Sequence, residues 1–441
     1  MTSFLNMFNT CLGLLMGLLY CYQMIYVFIG LFQRRKPIGP SASDSAPLHR
    51  YAVLIPARNE RRVVPHLIDS LRRQDYPAEL IDIFVIADNC TDDTAKVARA
   101  AGATVFERQE STLVGKGYAL DYAMKEIFAH HDQGYDAFVV FDADNLVDHR
   151  FFTEINRTFA AGARIITSYR NSKNFGSSWV SSASALWYLR ESRFLNAVRR
   201  RLNSSCMISG TGFVVARDIL ERDNGWKYHL LTEDIEFSID SVIHGEKIVF
   251  CEEAMLYDEQ PITFHQAWLQ RLRWAKGFYQ VFRHYGGALA KRLLSCPRKE
   301  KLSCFDLLMM ILPAMLATVL CLGMNLLAMI GGILISDASL LTAAARMLLT
   351  TFGNFYLLFV VYGLLTMITE RNVFHATWYQ KVRCLVLFPI YMFCHIPMSV
   401  QALFCTVEWK PIAHTCAHTL SDFPGAASAP HAIPHERSGD A

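Results

Sequence analysis

The chain has 441 residues, 43 Lys/Arg against 40 Asp/Glu, a formal net charge of +3, and 52% hydrophobic residues. That length allows two or three domains with a sizeable core, and so even a charge balance gives no argument for a nucleic-acid partner. The twelve cysteines show no CxxC or Cys/His zinc spacing, and several (Cys11, Cys21, Cys321, Cys384) fall in apolar stretches, so reduced thiols are expected instead of a disulfide scaffold.

From Thr10 to Phe32 the chain carries no charge, which is enough to cross a bilayer. It lacks a basic leader and a small-residue cleavage site, so residues 1–36 are expected to stay as a transmembrane anchor and not to act as a secretory signal. Arg34, Arg35 and Lys36 follow directly, and the positive-inside rule puts the next segment in the cytoplasm. After a Pro/Ser-containing linker, 37–48, the stretch "YAVLIPARNE" reads as a strand ending at Pro56. Val63, Val64, Leu67, Ile68 and Leu71 then repeat at helical spacing. "IDIFVIADNCTDDT" is a second strand, an acidic turn, and a helix expected from about Thr91 with Asp92 and Asp93 in its first turn. "ATVFE", "GKGYALDYAMKEIF" and "AFVVFDAD" continue the alternation, and "GFVVAR" and "EKIVFC" add strands. Strand–helix alternation predicts an α/β domain over 49–260 with a mostly parallel sheet, whose ligands sit at the carboxyl ends of the strands.

Residues 261–300 are aromatic and basic, patterned like helices at a membrane surface. Apolar segments near 305–335, 345–369 and 383–406 give a C-terminal region of about three spans. The basic loop "ERNVFHATWYQKVR" reads as cytoplasmic, and the Ala/Pro/Ser/His-rich tail, 418–441, reads as disordered.

Several short motifs carry chemistry. Asp142 and Asp144 are spaced i, i+2 after an apolar strand, and two such carboxylates repel unless a cation lies between them. The same strand-DxD context occurs in haloacid-dehalogenase-type phosphatases, although those carry Thr or Val where this chain has Leu146. Glu233 and Asp234 begin a helix, as caps favoured by the macrodipole or as a general base. Lys116 sits between glycines at a helix start, a favourable place for a phosphate, without the remaining residues of a P-loop. "QRLRW", 270–274, offers an amide, a guanidinium fork and an indole.

The order IPARNE, ADNCTD, GKG, DAD, SGTG, TED, QRLRW resembles the family-2 glycosyltransferases of the GT-A fold. It is most similar to their membrane-embedded branch of cellulose, hyaluronan and poly-N-acetylglucosamine synthases. The resemblance implies a GT-A-type cytoplasmic domain flanked by transmembrane helices. It assigns Ala57, Asn59, Glu60 and Asp88 to the nucleotide and Lys116 to the diphosphate. It gives Asp142 to the nucleotide and metal, Asp144 to a Mg²⁺ or Mn²⁺ ion, and Ser209, Gly210, Thr211 and Gly212 to the acceptor. Asp234, with Glu233 beside it, becomes the catalytic base, while Gln270, Arg273 and Trp274 hold the diphosphate and the acceptor terminus. Two departures stand out: Ala87 precedes Asp88 where many relatives have a second aspartate, and the polymer synthases' gating-loop signature is missing.

The implied activity is inverting, metal-dependent transfer from a nucleotide-sugar, a UDP-sugar first, to a growing polysaccharide or a lipid-linked acceptor. β-Linked exopolysaccharide or cell-surface glycan synthesis at the plasma (inner) membrane is the leading expectation, with partner subunits of an export system. The alternatives are transfer of a single sugar to a lipid-linked acceptor and, from another class, a haloacid-dehalogenase-like phosphohydrolase.

Overall fold

The apolar runs named above form the centre of one sheet. The computed structural model describes residues 1–33, 46–374 and 376–407, with Thr419 and Asp422. The Arg34–Lys36 run, most of the linker and the expected disordered tail apart from Thr419 and Asp422 lie outside the described residues.

Eight strands build the sheet: β1 Tyr51–Ala57, β2 Ile81–Asp88, β3 Thr104–Arg108, β4 Ala137–Val140, β5 Leu146–Val147, β6 Ile165–Ser172, β7 Phe213–Ala216 and β8 Ile248–Asp258. Their order is β3-β2-β1-β4-β7-β6-β8-β5. The sheet is mixed. β3, β2, β1 and β4 run parallel, β7 is antiparallel to both β4 and β6, and β6 and β8 are parallel again. Strands β1 and β2 read as continuous hydrophobic runs because helices cover both faces. Val64, Leu67, Ile68 and Leu71 of the Val64–Arg72 helix are buried against one face, as their spacing predicts.

Two local expectations are corrected. The helix expected from Thr91 begins at Thr94. The Asp92 carboxylate accepts the Thr94 N–H at 3.0 Å, so both aspartates lie before the helix and not in its first turn. The strand expected through Asp144 stops at Val140. Asp142 to Asn145 form a turn closed by Asn145 N–H donating to Asp142 O at 3.1 Å, so strand alternation does not set the directions of the two aspartates.

Among the described residues four helices are long and apolar enough to cross a membrane: Thr2–Tyr20, Ala314–Leu334, Ala338–Thr369 and Trp378–Phe404. The N-terminal stretch breaks at Cys21. Pro313 divides the segment expected at 305–335 into Lys301–Ile311 and Ala314–Leu334, because it has no N–H to continue the first helix. The last span bends at Cys394. All eleven cysteines among the described residues are free.

Buried ion pairs tie the sheet domain to these helices. Arg199, fully enclosed, grips Asp306 through Nε at 2.7 Å and a second nitrogen at 3.1 Å, and the hydroxyls of Tyr22 and Tyr26 donate to the same carboxylate. Arg193 donates to the Gln33 carbonyl and sits 3.6 Å from Glu370, which also accepts from the Tyr169 hydroxyl. The aromatic, basic segment forms one helix, Phe264–Ser295, opened by a Thr263/Gln266 capping box. One side of it is docked on the last span: Arg271 donates to Tyr391 O at 2.6 Å, Lys276 to Ala402 O at 2.9 Å, and Tyr279 to Ser399 O at 3.1 Å. The bend at Cys394 leaves helix carbonyls without an intrahelical donor, and the Arg271 fork meets one of them.

Candidate active site

The carboxyl ends of β1, β2 and β4 lie side by side, so the loops after them share one edge of the sheet. Ala57 ends β1 and its carbonyl accepts from Cys90 Sγ at 3.4 Å. Asn59 follows with φ +61°, a left-handed turn that asparagine tolerates. Its carboxamide oxygen accepts the Thr91 N–H at 2.8 Å. Glu60 is buried, and its N–H donates to Thr94 Oγ1 at 2.9 Å. Asp88, at the end of β2, is held by Arg108 at 2.6 Å. Arg108 also donates to Leu113 O at 2.6 Å, fastening the loop that leads to Lys116.

Lys116 is the hub. Gly115, at φ +145°, turns the chain into the Lys116–Glu126 helix. The Lys116 ammonium then reaches Asp142 Oδ1 at 2.5 Å, the Gly210 carbonyl at 2.7 Å and Glu233 Oε1 at 3.9 Å. Burial works against its charge, but Asp142, Glu233 and Asp234 outweigh that and raise its pKa. Helix and loop meet closely here: a methyl on Gly117 would stand 2.1 Å from the Tyr228 carbonyl oxygen.

The turn Ser209–Gly212 closes over Asp142. Asp142 N–H donates to Thr211 Oγ1 at 2.9 Å, and that hydroxyl donates to Asn145 Oδ1. Gly212 N–H donates to Val140 O at 2.8 Å, and the Ser209 hydroxyl donates to Glu191. Gly210 has φ +85°, and a side chain there would enter the space between Asp142 Oδ2 and Asp234 Oδ2, at 3.9 and 4.0 Å. The two carboxylates therefore converge on one point, although 92 positions separate them in the sequence.

Glu233 and Asp234 open the Glu233–Ile243 helix. Helix N–H groups favour their charged forms, yet enclosure prevails. Burial and then Asp234 push Glu233 up to about 7, against Lys116 and Arg273. Burial also raises Asp234, opposed by Lys116 and by the Ile235 and Gly210 N–H groups. Arg273, on the Phe264–Ser295 helix, is thus near enough to Glu233 to favour its charged form. Trp274 stands edge-on to Tyr188 at 6.4 Å, and the Gln270 side-chain amide oxygen is buried with no hydrogen-bond partner.

Asp144 lies in the same turn as Asp142, is 3% exposed, and accepts the Glu259 N–H at 3.1 Å. Beside it are residues that the sequence motifs missed. Asn145 donates to Asp258 Oδ1 at 2.9 Å. Arg170 binds the other Asp258 oxygen through Nε at 3.0 Å and lies 3.8 Å over the Tyr188 ring. Burial raises the Asp258 pKa to about 6, against Arg170. Asp258 ends a strand, the one signal that could have marked it; Arg170, Tyr188 and Glu191 have no such signal.

Among the described residues no group of three or more His, Cys, Asp or Glu side chains is arranged to enclose a metal ion. Asp142 and Asp144 are hard oxygen donors within one turn. That donor set fits Mg²⁺ or Mn²⁺ where phosphate oxygens and water complete the shell.

A family profile described as "Glycosyltransferase like family 2" matches residues 49–277, just over half of the chain. A beta-monoglucosyldiacylglycerol synthase of Synechocystis sp. is 25% identical over 288 residues, covering 63% of this chain and 58% of that protein. A 4,4'-diaponeurosporenoate glycosyltransferase of Staphylococcus aureus is 35% identical over 126 residues, 28% of this chain and 32% of that protein. The chain thus matches less than two thirds of the length of these relatives. In fold it is similar to the mannosyltransferase PcManGT of Pyrobaculum calidifontis, solved with GDP-Man and Mn²⁺. The TM-score is 0.57 at 17% identity, over 90% of this chain and 99% of that one.

Proposed function

The chain belongs to glycosyltransferase family 2, and from that premise we propose that it is a membrane-bound inverting transferase moving one sugar from a nucleotide-sugar to a lipid acceptor. The observation that carries this reading is the meeting of Asp142, Lys116, Gly210, Glu233 and Asp234 at the ends of the parallel strands. Two reacting partners need what these residues offer.

On the donor side, Ala57, Asn59, Glu60 and Asp88 line the edge where a nucleoside fits. Lys116 and Arg273 are the cations available to the departing diphosphate. Asp142 and Asp144 would hold Mg²⁺ or Mn²⁺, whose chemistry there is to neutralise the diphosphate oxygens. On the acceptor side, Asp234 takes the proton of the attacking hydroxyl while that oxygen bonds the anomeric carbon and the bond to the diphosphate breaks. One displacement inverts the anomeric centre, so an α-linked donor yields a β-linked product. A positioned base of this kind contributes about 10²–10⁴-fold. Gln270 and Trp274 fit the acceptor terminus, beside the docked membrane helices.

The lipid acceptor is favoured over a long glycan by two observations: the relatives above are named for a glucosyldiacylglycerol and a diaponeurosporenoate, not for a polysaccharide, and the gating-loop signature is missing. The basic run after the anchor supports a catalytic domain on the cytoplasmic side of the membrane.

The test is to incubate the full chain in lipid vesicles with UDP- and GDP-sugars and size the product. One β-linked sugar per lipid, with nucleoside diphosphate released in equal amount and activity lost in EDTA, is expected. A ladder of long glycans would replace lipid glycosylation with polysaccharide synthesis. Hydrolysis of phosphomonoesters without transfer would overturn the reading.

A further inference from the structure

Arg170 lies outside every motif read from the sequence, near the end of β6, with its side chain only 13% exposed. Its guanidinium is fully engaged. It grips Asp258 through Nε at 3.0 Å and through a second nitrogen, stacks 3.8 Å over Tyr188, and donates through Nη1 to the Ser209 carbonyl at 2.7 Å. That carbonyl shares one planar trans peptide with the Gly210 N–H, and in a trans peptide the two groups point in opposite directions. The Gly210 N–H faces the Asp234 carboxylate. Arg170 Nη1, Asp142 Oδ2 and Asp234 Oδ2 lie 3.7, 3.9 and 4.0 Å from the position a Gly210 Cβ would take.

We infer that Arg170 is a positioning residue for Asp234, acting through the Ser209–Gly210 peptide, with Asp258 and Tyr188 bracketing the guanidinium. This rests on the transferase reading above. The physical reason lies in Gly210 itself. Glycine takes either sign of φ with little penalty, so its own stereochemistry does not stop this peptide from flipping. Lys116 holds the next carbonyl, Gly210 O, and not this one. Arg170 is the side chain that holds the Ser209 oxygen in place. The Thr211 N–H also donates to this oxygen, at 3.1 Å, but from within the same turn. Arg170 is the contact that ties the turn to β6, and losing it lets the peptide turn its oxygen toward Asp234, replacing a donor with a lone pair and pushing the base away from the acceptor hydroxyl.

The experiment compares Arg170→Met, which keeps length and packing but donates nothing, with Arg170→Lys, which keeps a charge and a donor. Arg170→Met is expected to lower kcat about 10²-fold, the scale of losing one preorganised donor. UDP affinity by calorimetry in EDTA should stay within about twofold, because the Ala57, Asn59, Glu60 and Asp88 edge is not touched. Arg170→Lys should recover at least about tenfold of that loss. Combining Arg170→Met with Asp234→Asn should cost little more than Asp234→Asn alone, since residues acting as a unit are non-additive. UDP affinity falling in step with kcat, in both the Met and Lys variants, would make Arg170 a folding residue and overturn the inference. Additive losses or an unchanged kcat would overturn it too. A wild-type protein that transfers no sugar would remove the transferase reading and this inference together, whereas an active wild type with an indifferent Arg170→Met removes the inference alone.

Discussion

Two enclosed ionic clusters in this protein follow opposite plans. Where the sheet domain meets the membrane helices, Arg199 and Asp306 are matched one to one, and two tyrosine hydroxyls complete the carboxylate. In the crevice, Asp142, Glu233 and Asp234 crowd around Lys116, with Arg273 nearby and Arg170 already committed to Asp258. A buried pair whose lone pairs and protons are all satisfied holds parts together. Acids crowded around too few cations are held in tension, because like charges raise each other's proton affinity. The first cluster is complete as it stands. The second suits a reaction that brings a cation and a leaving diphosphate.

If that contrast is right, damage to the two clusters should differ in kind. The largest effect is expected from Asp234→Asn, which should lower kcat about 10³-fold with UDP affinity within about twofold by calorimetry. A parallel loss of nucleotide binding would make Asp234 part of the scaffold and erase the distinction.

At the junction, Arg199→Met leaves Asp306 buried and charged and is expected to destabilise by about 3–5 kcal/mol. Thermal inactivation in detergent should report it. The double variant Arg199→Met/Asp306→Leu should recover more than half of the loss, because no charge is left unpaired, although Tyr22 and Tyr26 lose their acceptor. The surviving fraction should turn over at the wild-type kcat. A lowered kcat there would show the junction taking part in the reaction.

A smaller effect is expected from Gly117→Ala. The added methyl meets the Tyr228 carbonyl at 2.1 Å, and backbone must move. Overpacking of this kind costs about 1–3 kcal/mol, read as a lower inactivation midpoint with donor KM raised through the neighbouring Lys116.

The smallest change is a shift in pH dependence. Glu233 holds its proton up to about 7, so the pair reaches its fully ionised form only as pH rises through that region, and kcat should climb with it. Glu233→Gln removes this group and should move the acid limb to lower pH. The stability sign runs the other way. A carboxyl whose pKa is raised in the folded protein stabilises it below the ordinary glutamate pKa, and that contribution is lost as pH rises toward about 7. Glu233→Gln should therefore flatten the loss of stability between about pH 4.5 and 7, measurable by inactivation midpoints across that range.

Much of the architecture was legible from local pattern. β1 and β2 announce themselves as apolar runs ended by polar turns, and the Val64–Arg72 helix shows its buried face at helical spacing. The four apolar helices were likewise visible by length. Asp142 was found for an incomplete reason. Its direction comes from a turn pinned by Thr211 and Lys116, not from an extended strand.

Chain order and residue type alone therefore determined that this is an α/β domain between membrane helices, and which acids and cations deserve notice, because hydrophobic periodicity and short motifs are local properties. Tertiary structure alone decided that Asp142 and Asp234 meet over Gly210, that Arg108 holds Asp88, and that Arg170 reaches the Ser209 carbonyl. Those contacts join side chains from separate strands and helices, and only the packing of the mixed sheet, with β7 reversed between β4 and β6, sets their distances.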